Sequence, residues 1–369
     1  MDLLFDARHI RQSGIGTYIE LLLPELEQTF AQRGRSLGIL VGEHTAPTLR
    51  ESTTVVVERG ASAMYSLAEQ RIWDQVLRSV RPRSFWVPHY PFPLTVLRPV
   101  HRKMSLFVTV HDTMHVEDKQ ISGMSAVRKY YARAMLELDA RRSRMIFTPS
   151  QATVDTLKEV APTARTCVTP IPVAEDWFRP ADPALAPVAG RYILYVGNSK
   201  WHKNLPVLME AFEEIRDDVP HKLVIAGSGE ALRGGDQRVT ELAAQMGEWV
   251  VVMGRLDFEV LRSLVSSADL LVMPSLHEGA GLPPIEAMAS HTAVLASDIP
   301  SLRETCGNGA DYFDPRDRQA LARLLRAYCG DAEATAALAE RGWRHVAARQ
   351  SSIDFSAAAR AVADELEQT

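Results

Sequence analysis

The stretch that decides the fold runs His277-Glu278-Gly279-Ala280-Gly281-Leu282-Pro283-Pro284-Ile285-Glu286-Ala287-Met288-Ala289. The short apolar run from Leu270 to Met273 precedes it and predicts a buried strand. Two prolines, Pro283 and Pro284, follow the glycine-rich bend, and proline favours the first position of a helix. The stretch therefore predicts a strand, a loop and a helix, with Glu286 in the first helical turn.

The same stretch predicts an anion site. The amides of Ala280, Gly281 and Leu282 are expected at the N-terminus of the helix, and helix N-termini bind anions, phosphate above all. Glu278 and Glu286 bracket the bend, and carboxylates accept hydrogen bonds from paired hydroxyls. We expect Glu278 to contact a sugar and Glu286 a ribose diol. The alternative is a surface turn with two solvated glutamates.

Residues Glu278 to Glu286 resemble the E-G-x-G-L-P-x-x-E element of the retaining glycosyltransferases of family four. The resemblance extends over nearly the whole chain. It implies the GT-B fold, which is an α/β architecture of two doubly wound, Rossmann-like parallel-sheet domains. It also implies transfer of a sugar from a nucleoside diphosphate sugar, with retention at the anomeric carbon, without a metal and without a cofactor. Retention could arise by double displacement or by same-face attack within an ion pair, and the resemblance favours the second.

The composition fits such a protein. A chain of 369 residues is long enough for two domains, and a net charge of −5 gives no sign of a nucleic-acid binder. The three cysteines, Cys167, Cys306 and Cys329, have neither metal-ligand nor disulfide spacing, which is typical of a reducing compartment. The N-terminus lacks the pattern of a signal peptide, and no apolar run reaches the roughly 20 residues of a membrane span. We expect a cytoplasmic protein, with contact to the inner face of the membrane as an option.

Short apolar runs alternate with helical patterns along the chain, which predicts parallel sheets covered on both faces. Prolines recur between residues 170 and 187 and indicate a linker. We therefore predict an acceptor-side domain at 1–173, a linker at 174–190 and a nucleotide-sugar domain at 191–350, with ligands in a cleft between the domains. By the resemblance, a last helix at 352–367 packs back onto the first domain. The predicted strands are Leu3–Phe5, Leu37–Val41, Val55–Val57, Ser84–His89, Leu106–Val110, Met145–Thr148, Cys167–Ile171, Tyr192–Val196, Lys222–Ala226, Trp249–Met253, Leu270–Met273 and Ala293–Ala296.

Two features of the first domain point to the donor. Gly14 and Gly16 form only a G-x-G pair, and the third glycine of a dinucleotide fingerprint would fall at Ile19, which argues against a dehydrogenase. A plain tight turn is the alternative, but the resemblance identifies the pair with a loop over the donor diphosphate. His111 follows a predicted strand, where ligands of open α/β sheets lie. By the resemblance it contacts the sugar or its leaving oxygen.

In the second domain, the segment Gly197 to Asn204 follows the first strand. Lys203 is the candidate cation for the leaving diphosphate, because lysine serves phosphate as a point charge. Lys200 is the alternative. Asn198 and Ser199 are expected to line the donor site. His202 stands where the family pattern has arginine, so a second cation could come from Arg255 or Arg8 instead.

Three further sequence features bear on the reaction. Gly254-Arg255-Leu256 resembles the family segment whose backbone contacts the nucleobase, and Ala226 to Gly229 could be a phosphate-side or ribose-side turn. Both could equally be ordinary strand ends. The sequence contains no D-x-D triplet and no His/Cys cluster with metal spacing, so we expect no metal site.

The segments around Gly16 and Lys203 look most like mannosyltransferases of surface polysaccharide assembly. GDP-mannose is therefore the expected donor and a UDP-sugar the second choice, with a glycan or lipid-linked saccharide as acceptor in polysaccharide or lipopolysaccharide synthesis. The basic and aromatic run Arg128 to Arg133, with Arg141 to Arg144, could contact anionic lipid. A sugar-nucleotide 2-epimerase and an inactive nucleotide-sugar-binding subunit remain alternatives.

Overall fold

The structure is a computed structural model that describes residues 1–10, 13–43, 47–58, 64, 66–227 and 237–368. The chain forms two compact units. Unit 1 comprises Met1–Val116, Met124–Pro172 and the residues from Asp354 onward. Unit 2 comprises Glu117–Gly123 and Val173–Ile353. Each unit has its own parallel sheet.

Unit 1 contains, within its described residues, a seven-stranded parallel sheet in the order β3-β2-β1-β4-β5-β6-β7. The order reverses at β1, which has β2 on one side and β4 on the other. In open α/β sheets, ligands bind beyond the strand ends at such a switch point. The strands are β1 (Leu3–Asp6), β2 (Leu37–Gly42), β3 (Thr54–Glu58), β4 (Ser84–Val87), β5 (Ser105–Thr109), β6 (Met145–Thr148) and β7 (Thr166–Val168).

Unit 2 repeats this plan. The described part of the unit has six parallel strands in the order β10-β9-β8-β11-β12-β13, so the order reverses between β8 and β11. The switch point of unit 2 therefore lies where the segments after β8 and after β11 leave the sheet. The strands are β8 (Tyr192–Val196), β9 (Lys222–Ala226), β10 (Val250–Met253), β11 (Leu270–Met273), β12 (Ala293–Ser297) and β13 (Asp311–Phe313).

Helices cover both faces of each sheet, which is why the strands read as continuous apolar runs. In β8, Ile193 and Tyr195 join one core cluster, while Tyr192 and Leu194 join the cluster on the other face. The helices are α1 (Ser13–Gln32), α2 (Leu67–Val80), α3 (Lys119–Ser122), α4 (Ala126–Arg142), α5 (Gln151–Val160), α6 (Leu205–Glu213), α7 (Gln237–Met246), α8 (Phe258–Ser266), α9 (Leu282–Ala289), α10 (Pro300–Cys306), α11 (Arg318–Gly330), α12 (Ala332–Ser352) and α13 (Ala357–Glu367).

Each predicted strand corresponds to a strand of the structure, with ends that differ by a few residues. The sequence reading missed β13, because three residues beginning with Asp311 are too short for a periodic signal. Helix α13 packs on α1 within unit 1, where Arg33 binds Asp364 and Glu367 at 2.9 and 2.7 Å.

The observed division of the chain differs from the predicted boundaries in two places. Residues 174–190, predicted as a linker, lie in unit 2, where Trp177 is buried in a core cluster with helix α9. Glu117–Gly123, predicted within the first domain, also groups with unit 2. Trp201 explains this grouping, because its indole Nε1 donates to the Gln120 carbonyl at 2.9 Å and its side chain packs on Gly123.

Candidate functional site

The switch point of unit 2 brings the segments after β8 and β11 together. A short 3-10 helix, Trp201–Lys203, follows β8 and ends at Asn204, which has a φ of 53°. The Asn204 Nδ2 donates to the carbonyl oxygens of Pro274 and Pro315 at 3.0 and 2.8 Å. The Leu276 amide donates to the His202 carbonyl at 2.8 Å. These bonds fix the position of Lys203 relative to the loop that carries Glu278.

Lys203 and Glu278 form an ion pair at this point. The Lys203 Nζ lies 2.7 Å from Glu278 Oε1 and 3.0 Å from Oε2, and the Ser275 hydroxyl also donates to Oε1 at 2.6 Å. The two side chains are only 16% and 10% exposed. An ammonium has three N–H donors, so two are used on Glu278 and one remains for a further acceptor. The sequence predicted both residues in the site but not their contact with each other.

Three residues beyond Glu278, at Gly281, the backbone turns into α9. Gly281 adopts a φ of 65°, and a Cβ built there would lie 2.4 Å from Leu302 Cδ2, so glycine is required both by conformation and by space. Pro283 and Pro284 have no N–H and remove two of the helix's terminal donors. Among the described residues, the amides of Ala280, Gly281 and Leu282 have no hydrogen-bond acceptor. These three N–H groups are therefore hydrogen-bond donors without a partner in the described part of the chain.

Glu286 differs from its predicted position. Helix α9 begins at Leu282, so the prolines occupy its second and third positions and Glu286 falls one residue past the first turn. The first-turn prediction was wrong because Leu282 already adopts the helical conformation. Within the described chain no group donates a hydrogen bond to the Glu286 carboxyl, and burial raises its pKa to about 7. Near neutral pH this carboxyl is therefore divided between its two protonation states.

The segment after β8 also carries the predicted site residues Asn198, Ser199 and His202. Asn198 accepts a hydrogen bond from the Lys200 amide at 3.1 Å, and its carbonyl accepts one from the Tyr195 hydroxyl at 2.6 Å. Ser199 is buried and His202 half-buried. Lys200 is exposed, as expected for a solvated loop residue, which leaves Lys203 as the cation beside Glu278.

The β10 segment lies at the edge of the sheet. Arg255 is exposed and Leu256 half-buried, and both follow a strand that is two positions from β8. Adjacent strands lie roughly 5 Å apart, so these residues start about 10 Å from the end of β8. For the predicted turn at Ala226 to Gly229, residues 228–236 lie outside the described residues.

Unit 1 holds the remaining predicted residues. Gly14 is exposed, while Gly16 is buried against the segment after β1, since a Cβ there would lie 2.6 Å from the Ile10 carbonyl oxygen. The loop residues 11 and 12 before them lie outside the described residues. His111 Nε2 is 2.8 Å from the Pro88 carbonyl oxygen, and the ring packs edge-on against Tyr18.

Desolvation lowers the pKa of His111 to about 4, so the ring is neutral at pH 7. In a neutral imidazole one nitrogen donates and the other accepts, and only a donor can pair with a carbonyl. The Nε2 of His111 therefore carries the proton, and Nδ1 is an acceptor.

Arg8 was predicted as a possible second phosphate cation, and the structure does not support this role. Its guanidinium makes a two-point pair with the Asp6 carboxylate, with 2.9 Å from Nε to Oδ1 and 2.6 Å from Nη2 to Oδ2. Both side chains are at most 5% exposed. The Arg8 charge is therefore neutralised by Asp6 in the interior of unit 1, and its guanidinium is not exposed to a phosphate.

One cluster near Arg8 was missed by the sequence reading. His9 and His89 both face the Glu69 carboxylate, and their three candidate ligand atoms lie within 4.8 Å of one another. Local spacing in the sequence does not reveal this cluster, because its residues come from the segment after β1, from α2 and from the segment after β4. Only the fold brings them together.

Comparison with known proteins identifies the family. Residues 190–331 match the family described as glycosyl transferases group 1. Over 250 residues the chain is 30% identical to the O-antigen chain mannosyltransferase RfbU of Salmonella typhimurium, which covers 65% of this chain and 69% of that protein. The chain belongs to the group 1 glycosyltransferases. This glycosyltransferase is also 24% identical over 296 residues to O-antigen chain mannosyltransferase B of Escherichia coli, with 77% of this chain and 72% of that protein covered.

A solved structure supports the fold of the glycosyltransferase. Sucrose-phosphate synthase from Thermosynechococcus elongatus superposes with a TM-score of 0.76, covering 100% of this chain and 99% of that one at 19% identity. At that identity the likeness concerns the fold alone. The predictions of a GT-B fold with two doubly wound parallel-sheet domains, and of a glycosyltransferase enzyme, are confirmed. Among the described residues, no helix is long and apolar enough to cross a membrane.

Proposed function

We propose that this glycosyltransferase moves mannose from GDP-mannose to a glycan or lipid-linked saccharide acceptor in the synthesis of a surface polysaccharide or lipopolysaccharide. Two relatives that align with most of the chain are named O-antigen chain mannosyltransferases, which supports mannose as the sugar. A UDP-sugar is the second candidate donor.

One observation carries the proposal: Glu278 of the Lys203–Glu278 ion pair lies two and three residues before Ala280 and Gly281, whose amides have no hydrogen-bond acceptor among the described residues. A departing nucleoside diphosphate gains negative charge, and preorganised donors aimed at that charge lower the barrier. The third N–H of Lys203 and these amides are such donors. Glu278, held by Lys203 and Ser275, keeps a carboxylate at the same point for the hydroxyls of the sugar.

The proposed reaction retains the anomeric configuration by attack on the same face of the sugar. The bond from the anomeric carbon to the diphosphate oxygen breaks and the bond to the acceptor oxygen forms. The acceptor proton passes to the departing phosphate oxygen. Lys203 and the helix-terminus amides stabilise the leaving charge in this scheme, so it requires neither a metal ion nor a cofactor.

The remaining residues bind and orient the donor. Glu286 accepts hydrogen bonds from the ribose hydroxyls, and His111 Nδ1 accepts one from a sugar hydroxyl. Gly14 and Gly16 cover the diphosphate, and Asn198, Ser199 and His202 line its site. Arg255 and Leu256 contact the nucleobase through their backbone.

A donor panel tests the proposal. Purified protein is incubated with GDP-mannose, GDP-fucose, UDP-glucose and UDP-N-acetylglucosamine, and release of the nucleoside diphosphate is measured with and without lipid-linked acceptor. Release of GDP from GDP-mannose that rises with acceptor and persists in EDTA supports the proposal. Release of UDP from a UDP-sugar would select the second candidate donor. Conversion of a UDP-sugar without acceptor would indicate an epimerase. Binding of a donor without release of its nucleoside diphosphate would indicate an inactive subunit.

The acceptor class suggests contact with a membrane surface, which we propose for the N-terminal half of α4. Val127 and Tyr130 are 78% and 74% exposed and alternate with Arg128, Lys129 and Arg133. Apolar and aromatic side chains among basic ones bind the interface of anionic bilayers. The Val127→Ser/Tyr130→Ser variant is expected to lose flotation with phosphatidylglycerol vesicles, whereas Leu185→Ser, at an exposed apolar residue of unit 2, is expected to keep it. Equal flotation of both variants would contradict a contact between the N-terminal half of α4 and the membrane.

A further inference from the structure

A single buried carboxylate connects two segments of unit 1 that carry predicted site residues. Glu69 Oε1 lies 3.2 Å from His9 Nε2 and 2.9 Å from His89 Nε2. His9 follows β1 and His89 follows β4, so Glu69 joins the two strand ends at the switch point of unit 1. The side chains of all three residues are at most 2% exposed.

Glu69 itself is held firmly. It is the third residue of α2, and its amide donates to the hydroxyl of the N-cap residue Ser66 at 3.2 Å. Burial opposes its negative charge, but the hydrogen bonds from His89 and His9 outweigh that effect and lower the pKa of Glu69 to about 2. The group is therefore an ionised acceptor at any physiological pH.

The His9 side of the cluster leads to the glycine turn. A Cβ built at Gly16 would lie 2.6 Å from the Ile10 carbonyl oxygen and 3.1 Å from the His9 carbonyl oxygen. The backbone at His9 and Ile10 is thus in direct contact with Gly16. Any displacement of His9 therefore moves the surface against which the turn at Gly16 rests.

The His89 side leads to His111. The preceding residue, Pro88, offers the carbonyl oxygen that accepts the hydrogen bond from His111 Nε2 at 2.8 Å. That bond fixes both the orientation and the tautomer of the His111 ring, and hence the direction of its Nδ1 acceptor. Holding His89 therefore holds the group that orients His111.

The same three residues could be considered as metal ligands, since two imidazoles and a carboxylate form a recognised ligand set. Two observations favour a hydrogen-bonded cluster. Both nitrogen-to-oxygen separations are hydrogen-bond lengths. The Arg8 guanidinium lies 3.8 Å from the same Glu69 oxygen, so a divalent cation on that oxygen would face a fixed positive charge.

We propose that Glu69 is a positioning residue for the transferase reaction, which through His9 supports the turn at Gly16 and through His89 and Pro88 orients His111. The inference rests on the proposed roles of Gly16 and His111 in donor binding. It assigns Glu69 no contact with substrate.

The test compares Glu69→Gln with Glu27→Gln. Glu27 is a matched control, because it is a buried carboxylate of unit 1 that accepts from the Arg50 amide and the Thr53 hydroxyl at 2.8 and 2.6 Å, and it has no part in the site. We expect Glu69→Gln to lower kcat on the order of 100-fold, because misplacement of a reacting group by about 1 Å costs that much. We expect Glu27→Gln to stay within a factor of about 2 of the wild type, since it leaves the reacting groups in place. Equal losses in both variants overturn the proposal.

A second pair of variants keeps the test decisive if Glu69→Gln does not fold. The amide of His89→Gln still donates to Glu69, whereas His89→Phe has no donor. We expect His89→Gln to retain most of the kcat and His89→Phe to lose it, and equal kcat values contradict the proposal. Retention of one equivalent of divalent metal by the purified wild type would overturn the hydrogen-bonded assignment.

A measurement independent of activity separates this inference from the proposed function. In nitrogen-15 NMR of the imidazoles, His111 of the wild type is expected as the Nε2–H tautomer with slow solvent exchange. Glu69→Gln is expected to lose that protection and Glu27→Gln to keep it. An unchanged His111 signal in Glu69→Gln defeats the inference even if transfer from GDP-mannose is established. A lost signal supports it even if no donor on the panel reacts.

Discussion

Lys203 and Glu278 are 75 residues apart in the chain, yet the ammonium of one lies 2.7 and 3.0 Å from the two carboxylate oxygens of the other. The pair is nearly buried, and Ser275 supplies a third hydrogen bond to it. An anion that binds here meets a cation whose charge is already paired, so binding depends on the remaining N–H of Lys203 and on nearby amides. In the proposed reaction that remaining N–H is the donor for the diphosphate.

The pair predicts different effects on stability and on activity. Lys203→Met leaves a largely buried carboxylate without its cation and is expected to lower the free energy of unfolding by about 3 kcal/mol. In the proposed mechanism it also removes a donor to the leaving group, so kcat is expected to fall on the order of 100-fold to 1000-fold. The double variant Lys203→Met/Glu278→Leu is expected to recover stability but not activity. Denaturant unfolding and steady-state kinetics check both, with exposed Lys200→Met as the control near wild type.

Glu286 is expected to make the stability of unit 2 depend on pH. Burial raises the pKa of this carboxyl from 4.5 to about 7, so the folded state binds more protons than the unfolded state between those values. The free energy of unfolding is therefore expected to fall as pH rises from 4.5 to 7, by up to about 3 kcal/mol. Glu286→Gln is expected to remove that slope, and thermal unfolding at pH 5 and pH 7.5 measures it.

Donor kinetics give an independent reading of the same residue. Ribose hydroxyls donate more strongly to the ionised carboxylate, so the donor KM of the wild type is expected to fall as pH rises through about 7. Glu286→Gln and Glu286→Ala are expected to raise the donor KM at pH 7.5 by roughly tenfold or more, as loss of a hydrogen bond to a charged group does. A donor KM that is unchanged in both variants would reject the ribose role.

Gly281 is predicted to matter for space as well as for conformation. In Gly281→Ala the new Cβ would lie 2.4 Å from Leu302 Cδ2, whereas Gly247→Ala has a similar φ of 52° and no atom within 4 Å. The control is expected to cost about 1 kcal/mol of unfolding free energy, because only the left-handed backbone is strained. Gly281→Ala is expected to cost about 1 to 3 kcal/mol more, since the Cβ must displace Leu302, and to raise the donor KM. Equal costs would contradict the close approach.

Asp139 is expected to destabilise unit 1 at neutral pH. Its side chain is buried on α4, neither oxygen has a hydrogen-bond partner among the described residues, and burial raises its pKa well above the usual value of 3.8. The folded state therefore binds the proton more tightly, and stability falls as pH rises above about 4. Asp139→Asn is expected to raise the free energy of unfolding by about 1 to 3 kcal/mol at pH 8 and hardly at pH 4. Exposed Asp155→Asn serves as the control, and chemical denaturation at both pH values measures the difference.

The sequence predicted the two sheets because buried parallel strands are continuous apolar runs, such as Leu270–Met273. It also predicted that Lys203 and Glu278 belong to one site, because each follows a strand at the same end of the sheet. It did not predict that they would pair, since that requires the Asn204 and Leu276 hydrogen bonds that fix the two loops. The sequence also placed Glu286 in the first turn of α9. The helix begins at Leu282 and not at a proline, so Glu286 is its fifth residue and lies just past that turn.

What the sequence by itself determined was the alternation of strands and helices and the local motif from Glu278 to Glu286, because periodicity, glycine and proline act over a few neighbouring residues. What only the tertiary structure decided was which charges meet. Lys203 is paired with Glu278, and Glu69 is shared by His9 and His89. Such pairings depend on the strand order of each sheet, which places distant segments at one switch point and which no short stretch of sequence encodes.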